Sequence, residues 1–515
     1  MDVPITGYLL LPLGLIIAVL PWRYCLIGLM VFAMMSPAAV INYGKFGLQP
    51  GYYLSILLSA RTVAEIVIGG FRLNGFVLGR MKLLFYFSIL VFVVLFIALC
   101  FFQGKIEVLP GTSGFKSAAT RFFHLSRENF TQVAYLILNI SLVYTMGHQG
   151  ARRAAGVLLR DWDVAVTCGL CFAAAIALWQ FVSLYAGLYF PSAFFYTNAG
   201  YNRADSQSMV GLFRINGCFE EPSTLGYTFT GYVLFAWLRY RLFPTAFSVG
   251  LIAVSVFCML VSTSTTAIVG LLVFACIAFY DVASSRLHLF TKDFRLSSGQ
   301  VAAIALFVVG GLAAGFVVAA NWQAIHLILQ SAVFRKSQSS SFQERMFADV
   351  LALRVFVETY GIGVGLGSDK ANSLMLGLLS NTGIIGLLLL GGFVFSVVRP
   401  IRTTLDRLSS ETLRKAVRPF QWGGIGLVLI HGFSNPNLSV LTIWVFLGGL
   451  IATQASVRKM EAAQASRPAP GGVNAPGGGP PPLISSGGAS LGFGGTAGGG
   501  PPRLPALAHA VADGE

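Results

Sequence analysis

Charge is scarce in this chain. Only 11% of its 515 residues are Asp, Glu, Lys or Arg, against about 25% in a soluble globular protein. No group of His, Cys and carboxylate residues has metal-ligand spacing, so neither a metal nor a cofactor is expected. Seven cysteines are present, and most of them lie inside apolar runs. Cys168 and Cys171 form a C-x-x-C within one such run, without the further ligands or redox setting that the motif needs. The weak alternating segments of an outer-membrane barrel are missing, and the two halves show no internal repeat. The opening residues, MDVPITGYLLLPLG, lack a basic leader and a small-residue cleavage site, and read as a retained helix rather than a signal peptide.

Hydrocarbon fills the space that charge leaves. Hydrophobic residues make up 55% of the chain and mean hydropathy is +0.74. Apolar runs long enough to cross a bilayer as helices recur throughout. The fold class expected is an all-α polytopic membrane protein. It has about 12–14 transmembrane helices and two large external loops carrying short amphipathic helices. The spans fall at 5–20, 22–42, 50–69, 82–102, 130–147, 164–189, 223–238, 245–262, 264–281, 301–320, 372–397, 421–435 and 438–455. Residues 1–463 form this membrane domain. The Gly/Pro/Ser-rich stretch 464–515 buries too little apolar surface to offset its chain entropy and is expected to be a disordered cytoplasmic tail.

The formal charge of +15 need not mean nucleic acid, because its distribution is a topology signal. Alternate connections carry 22 Lys and Arg residues on one side and 12 on the other. The richer side is cytoplasmic. Loops 190–222 and 321–371 then share the external face, and the C-terminus lies inside.

The first of these loops ends in RINGCFEEPSTLG, Arg214 to Gly226. Pro222 biases Glu221 to an extended conformation and opens the next helix. Helix capping would account for one acidic residue there, but less well for Glu220, Glu221 and Arg214 together. The second loop contains an amphipathic helix over 342–358. Arg345 and Asp349 stand at i, i+4 on it, as do Arg354 and Glu358. GIGVGLGS follows, with Gly361, Gly363, Gly365 and Gly367. It is read as a tight backbone path back into the membrane beside Asp369, Lys370 and Asn372, rather than as a nucleotide loop. His124 and His326 read as ordinary external surface. The hydroxyl-rich turn at Ser262–Thr266 reads as close helix packing. Within a span, Arg61 and Glu65 pair at i, i+4. They read either as a structural pair or as neighbours of a substrate cavity.

These stretches resemble a known superfamily. RINGCFEEPSTLG is similar to the Arg…Gly-x-Phe-x-Glu-Pro-Ser segment of Wzy-type O-antigen and exopolysaccharide polymerases. LVSTSTTAIVGLL resembles the Ser-rich hairpin that follows it there. QERMFADVLALRVFVETYGIGVGLGS and NSLMLGLLSNTGIIGLL resemble the shared C-terminal region. The resemblance covers about residues 210–395. It implies a bacterial inner-membrane glycosyltransferase that polymerises polyprenyl-diphosphate-linked oligosaccharides at the outer face of the cytoplasmic membrane. A chain-length regulator and export proteins join the lipid-linked substrate and the bilayer as its implied partners. O-antigen ligases of the same superfamily carry a histidine just before the Asn of the last motif. Asp369-Lys370-Ala371 precedes Asn372 here, which favours the polymerase. A flippase or transporter of lipid-linked sugars is the rival from another class.

Such chemistry needs cations for the leaving diphosphate and a base for the acceptor hydroxyl. Arg214 and Arg345, assisted by Lys370, are the expected diphosphate ligands, since the planar guanidinium matches phosphate oxygens. Glu221 is the first choice as base and Glu220 the second. Arg61, Glu65 and Asn372 are further candidates.

Overall fold

A computed structural model describes residues 1–44, 46–111, 120–201, 208–209, 212–287, 340–399, 411–435 and 437–465. The span expected at 301–320, His326 and the tail from 466 lie outside these residues.

The chain is an all-α polytopic membrane protein. Its helices are α1 (Ile5–Val19), α2 (Trp22–Ala33), α3 (Pro50–Ile68), α4 (Gly75–Phe101), α5 (Arg127–Ala151), α6 (Ala155–Ala186), the short α7 (Ser192–Phe195), α8 (Pro222–Leu242), α9 (Ala246–Val261), α10 (Thr265–Leu287), α11 (Ser340–Glu358), α12 (Leu374–Val398), α13 (Glu411–Ser434) and α14 (Leu441–Ala465). Among the described residues, three antiparallel strand pairs decorate the connections: Ile41–Tyr43 with Phe46–Leu48, Glu107–Val108 with Arg121–Phe122, and Ser208–Met209 with Leu212–Phe213.

Among the described residues, seven helices are long and apolar enough to cross a bilayer: α3, α4, α5, α6, α10, α12 and α14. Three more, α1, α2 and α9, are apolar but shorter. Helix α8, expected as a span at 223–238, is not among these, for a physical reason. Helix α8 carries Thr, Tyr and Gly over much of its length, yet every residue from Pro222 to Ala236 is buried. It packs chiefly against α13, α9 and α10, so most of its surface meets protein and need not match lipid. Small residues make that possible: a Cβ on Gly226 would meet Ala267 of α10, and one on Gly231 would meet Leu427 of α13.

Helix α2 is a correction. The apolar run continues to residue 42, but the helix stops at Ala33. Pro37 disfavours helical geometry at the residue before it. The chain turns into the first hairpin instead, which frees Ser36 to point into the bundle.

Helix α12 is broken at Gly383, where φ is 67° and ψ is −173°. The glycine-rich stretch fills the break. Gly361, Gly363, Gly365 and Gly367 all have positive φ. The Val364 N–H donates to the Ser380 carbonyl (2.9 Å), Gly365 N–H to Asn381 O (2.8 Å), and Ile384 N–H to Gly361 O (3.2 Å). This stitch replaces hydrogen bonds that the interrupted helix cannot make for itself. A Cβ on Gly383 would lie 2.2 Å from the Gly361 carbonyl oxygen. Gly383→Ala is therefore expected to cost about 2–4 kcal/mol from backbone strain and overpacking. Gly391→Ala on the same helix, where a Cβ meets nothing within 4 Å, should be close to neutral. Unfolding of the two purified variants in detergent checks this.

Arg80 and Arg458 lie over the Phe76 ring, and Arg153 lies over Trp22. Arg152 meets Glu65 at 2.6 Å. All of these gather at one end of the bundle. The N-termini of α3, α8, α12 and α14 lie at the other end.

Candidate functional site

The segment before α8 is held rigidly. Gln180 of α6 accepts the backbone N–H groups of Asn216 (3.0 Å) and Gly217 (2.7 Å) through Oε1, and its Nε2 donates to Asn216 Oδ1 (2.7 Å). Asn216 Nδ2 donates to Phe219 O at 2.9 Å, and the Tyr196 hydroxyl donates to Gly217 O. Glu220 and Glu221 therefore leave a fixed backbone. Glu221 is extended (φ −141°, ψ 156°), so consecutive side chains diverge to opposite sides.

Glu221 occupies the capping position of α8, but its carboxylate makes no cap to the helix backbone. Oε2 instead accepts the Ser223 hydroxyl at 2.9 Å and lies 3.8 Å from Arg345 Nη2 on α11. Arg214 and Lys370 are within electrostatic reach of the same carboxylate. Burial lowers the proton affinity of Arg214, Arg345 beside it lowers it further, and Glu221 opposes both. Burial likewise lowers that of Lys370, again opposed by Glu221. Arg345 is thus in contact with this carboxylate, and Arg214 and Lys370, from two other chain segments, lie within its electrostatic range.

The loop bearing Lys370 is wired in place. Asn381 Oδ1 accepts the N–H groups of Ser368 (3.0 Å) and Asp369 (3.1 Å), and its Nδ2 donates to Asp369 O (2.8 Å). Asn372 donates its backbone N–H (2.8 Å) and its amide (3.4 Å) to Asp349. Asp349 was read as the i+4 partner of Arg345; it serves the start of α12 instead, and Arg345 turns to Glu221. The parallel pair, Arg354 and Glu358, does form, at 2.7 Å. Asn372 is thereby a positioning residue next to the cluster.

Asp369 is buried and accepts the Leu109 N–H at 3.0 Å. Burial pushes its carboxyl up to about 6, against that hydrogen bond. The folded chain therefore holds this proton more tightly than the unfolded chain. The associated stability is complete below about pH 4 and is lost as pH rises through about 6. Asp369→Asn should remove this dependence and stabilise the protein by up to about 3 kcal/mol above pH 7, seen as a flatter profile of melting temperature against pH.

Glu220 points the other way, into a small cavity lined by Ser36, Gln49, Tyr201, Tyr227, Thr228 and Thr442 among others. The Ser36 hydroxyl donates to Glu220 Oε2. Burial raises the proton affinity of Glu220; the Ser36 hydrogen bond opposes this and the Glu221 charge adds to it. Two adjacent carboxylates are thus held in different environments, the arrangement that separates acid–base roles.

Arg61 and Glu65 do not join this group. Arg61 donates to the carbonyls of Ala18 (2.8 Å) and Leu20 (2.7 Å), and Glu65 accepts from Gln149 (2.8 Å) and Arg152 (2.6 Å). Glu65 lies sixteen residues along α3 from Gln49, about 24 Å at 1.5 Å per residue. The i, i+4 pair forms, at 3.1 Å, and these contacts tie α3 to α5 and to the turn after α1. Among the described residues no group of three or more His, Cys, Asp or Glu could hold a metal ion.

Sequence reasoning missed Ser36, Gln49, Tyr201 and Thr442. Ser36, Gln49 and Thr442 are ordinary polar residues near helix ends and Tyr201 lies in a connection, none with a motif around it. No family model, curated protein or solved structure matches this chain.

Proposed function

We propose that this protein is a glycosyltransferase of the bacterial cytoplasmic membrane. It joins polyprenyl-diphosphate-linked oligosaccharide repeat units into a polysaccharide at the outer face. The observation that carries this reading is the Arg345–Glu221 contact, with Arg214 and Lys370 within electrostatic range of the same carboxylate. Cations are costly in a membrane protein and gather where a charged group must be handled. A diphosphate headgroup held at the bilayer surface is such a group. The Glu221–Arg345 contact is loose at 3.8 Å, with 47% and 30% of the two side chains exposed. Such a pair contributes about 0–1 kcal/mol, so an incoming diphosphate displaces Glu221 at little cost.

The acceptor hydroxyl oxygen attacks the anomeric carbon. Its proton passes to a carboxylate, and the bond from that carbon to the diphosphate oxygen breaks with its electron pair. The cations stabilise the charge on the leaving diphosphate. Glu220 is the better proton acceptor, because its affinity for a proton is raised. This reverses the order expected from the motif alone.

The test is the purified protein in liposomes supplied with lipid-linked repeat units. A ladder of lengthening products is expected. A single transfer to an unrelated acceptor would convert the reading to a ligase. Movement of the lipid across the bilayer without any new glycosidic bond would overturn it in favour of a transporter.

A further inference from the structure

We infer that the basic end of α4 and α14 is a binding site for an anionic phospholipid, its phosphate held by Arg80 and Arg458 beside Phe76 and its acyl chain laid along α4. The inference goes beyond the polymerase reading and does not depend on it. Arg80 and Arg458 come from different helices to one ring: their guanidinium carbons lie 5.5 Å and 4.8 Å from the Phe76 centroid. Like charges gathered in this way repel. Among the described residues neither guanidinium forms an ion pair, and Arg80 Nε has no hydrogen-bond partner. Glu461, three residues on from Arg458, pairs with neither. By contrast, Arg152, Arg239 and Arg241 of the same basic side meet Glu65, Asp163 and Asp281 at 2.6, 2.9 and 3.0 Å. An anion is what the pair on Phe76 lacks, and basic pockets between spanning helices on the cytoplasmic side suit the headgroups of anionic lipids.

The surface beside the pair is shaped for a lipid. Gly75 and Gly79 are exposed, and a Cβ on either would meet nothing within 4 Å, so the backbone of α4 is bare next to Phe76. Lys82 is exposed on the same side and makes no ion pair. The helical repeat carries this face on through Tyr86, Ile89 and Val93, all of them exposed. Charge and bare backbone at the helix start thus give way to an unbroken apolar track. The rise from Gly75 to Lys82 is about 10 Å, enough to cross a headgroup layer of roughly 5–8 Å. The apolar run begins at residue 82, which sets the cations at headgroup depth and the track in hydrocarbon. A second copy of the chain seated on the same glycines would bring Arg80 and Lys82 of both copies together, so charge favours the lipid. Bound there, the lipid clamps α4 against α14.

The test uses the full-length protein in detergent, with binding followed by native mass spectrometry. The probes are phosphatidylglycerol, phosphatidylcholine and inorganic phosphate. The wild type is expected to hold phosphatidylglycerol in preference to phosphatidylcholine. Arg80→Gln with Arg458→Gln should weaken phosphatidylglycerol roughly 30-fold, at about fivefold for each cation removed. Arg241→Gln, which removes a cation already paired with Asp281, should leave that affinity unchanged. Gly79→Leu keeps every charge, covers the bare backbone and improves helix propensity, so the fold is not at risk; it should weaken phosphatidylglycerol several-fold. Equal affinity of the double variant and the wild type overturns the inference. Loss in the double variant with full affinity in Gly79→Leu also overturns it, because the attraction is then diffuse charge without a site. Displacement of the lipid by inorganic phosphate would assign the arginines to a soluble anion instead. Dimers in the same spectra that Gly79→Leu dissociates would give the face to a second copy, and the lipid site would fall.

Discussion

Glu220→Gln is expected to lower the rate of polymer formation on the order of 100- to 10,000-fold, the usual effect of removing a general base. The substitution keeps the shape of the side chain, and its amide oxygen can still accept the Ser36 hydroxyl that now meets Oε2. Only the capacity to take a proton is lost, so donor binding and folding should persist. Glu221→Gln should behave differently. It frees Arg345 of a weak partner and removes a like charge from beside Glu220, whose proton affinity that charge helps to raise. The rising limb of the wild-type rate against pH should lie above the ordinary carboxylate range, and Glu221→Gln should move it to lower pH while retaining substantial activity. Rates for both variants from pH 4 to 8 decide the assignment. Near-normal turnover by Glu220→Gln would return the base role to Glu221 or remove it from the pair.

Arg345→Lys is expected to reduce kcat/KM about 10- to 100-fold although the charge is kept. A charge-assisted hydrogen bond is worth about 1.5–3 kcal/mol, and an ammonium cannot reproduce the two parallel donors of a guanidinium facing a diphosphate. Arg354→Lys provides the comparison on the same helix. Arg354 pairs with Glu358 at 2.7 Å and Glu107 at 3.9 Å, with 59% of its side chain exposed, and its replacement should change little. Equal activity of the two variants would reduce Arg345 to a surface charge.

Much of the bundle was legible because lipid imposes a simple rule: a long apolar run must span. The rule fails where local chemistry or burial competes with it. Pro37 ends α2 inside an apolar run, and α8 is enclosed by protein and so carries more polar residues than a lipid-facing span. The charged half of the candidate site was legible for a related reason. Arg214, Glu221, Arg345 and Lys370 each stand out against a hydrophobic background, although nothing in their spacing states that they meet. The neutral half was not legible. Ser36, Gln49 and Thr442 are unremarkable where they stand, and the cavity exists only because the ends of α2, α3, α8 and α14 come together. Asp349 illustrates the limit of local pairing, since a helical i, i+4 partner lost to the backbone of Asn372 and Ser373.

The seam between the glycine stretch and the break in α12 has a consequence for how this chain tolerates insertions and deletions. Val364 and Gly365 donate to Ser380 and Asn381, and Ile384 donates back to Gly361, so the residues between are counted off like the teeth of a zip. Lys370 lies within that count, nearer to Gly365 than to Ser380. Loops at a membrane surface usually absorb added or missing residues at small cost. Here a single residue gained or lost between 366 and 379 changes the reach of the connection, and one gained or lost within the paired residues shifts the register of the seam. Absorbing it moves Lys370 relative to Glu221 or leaves backbone groups of a spanning helix without partners.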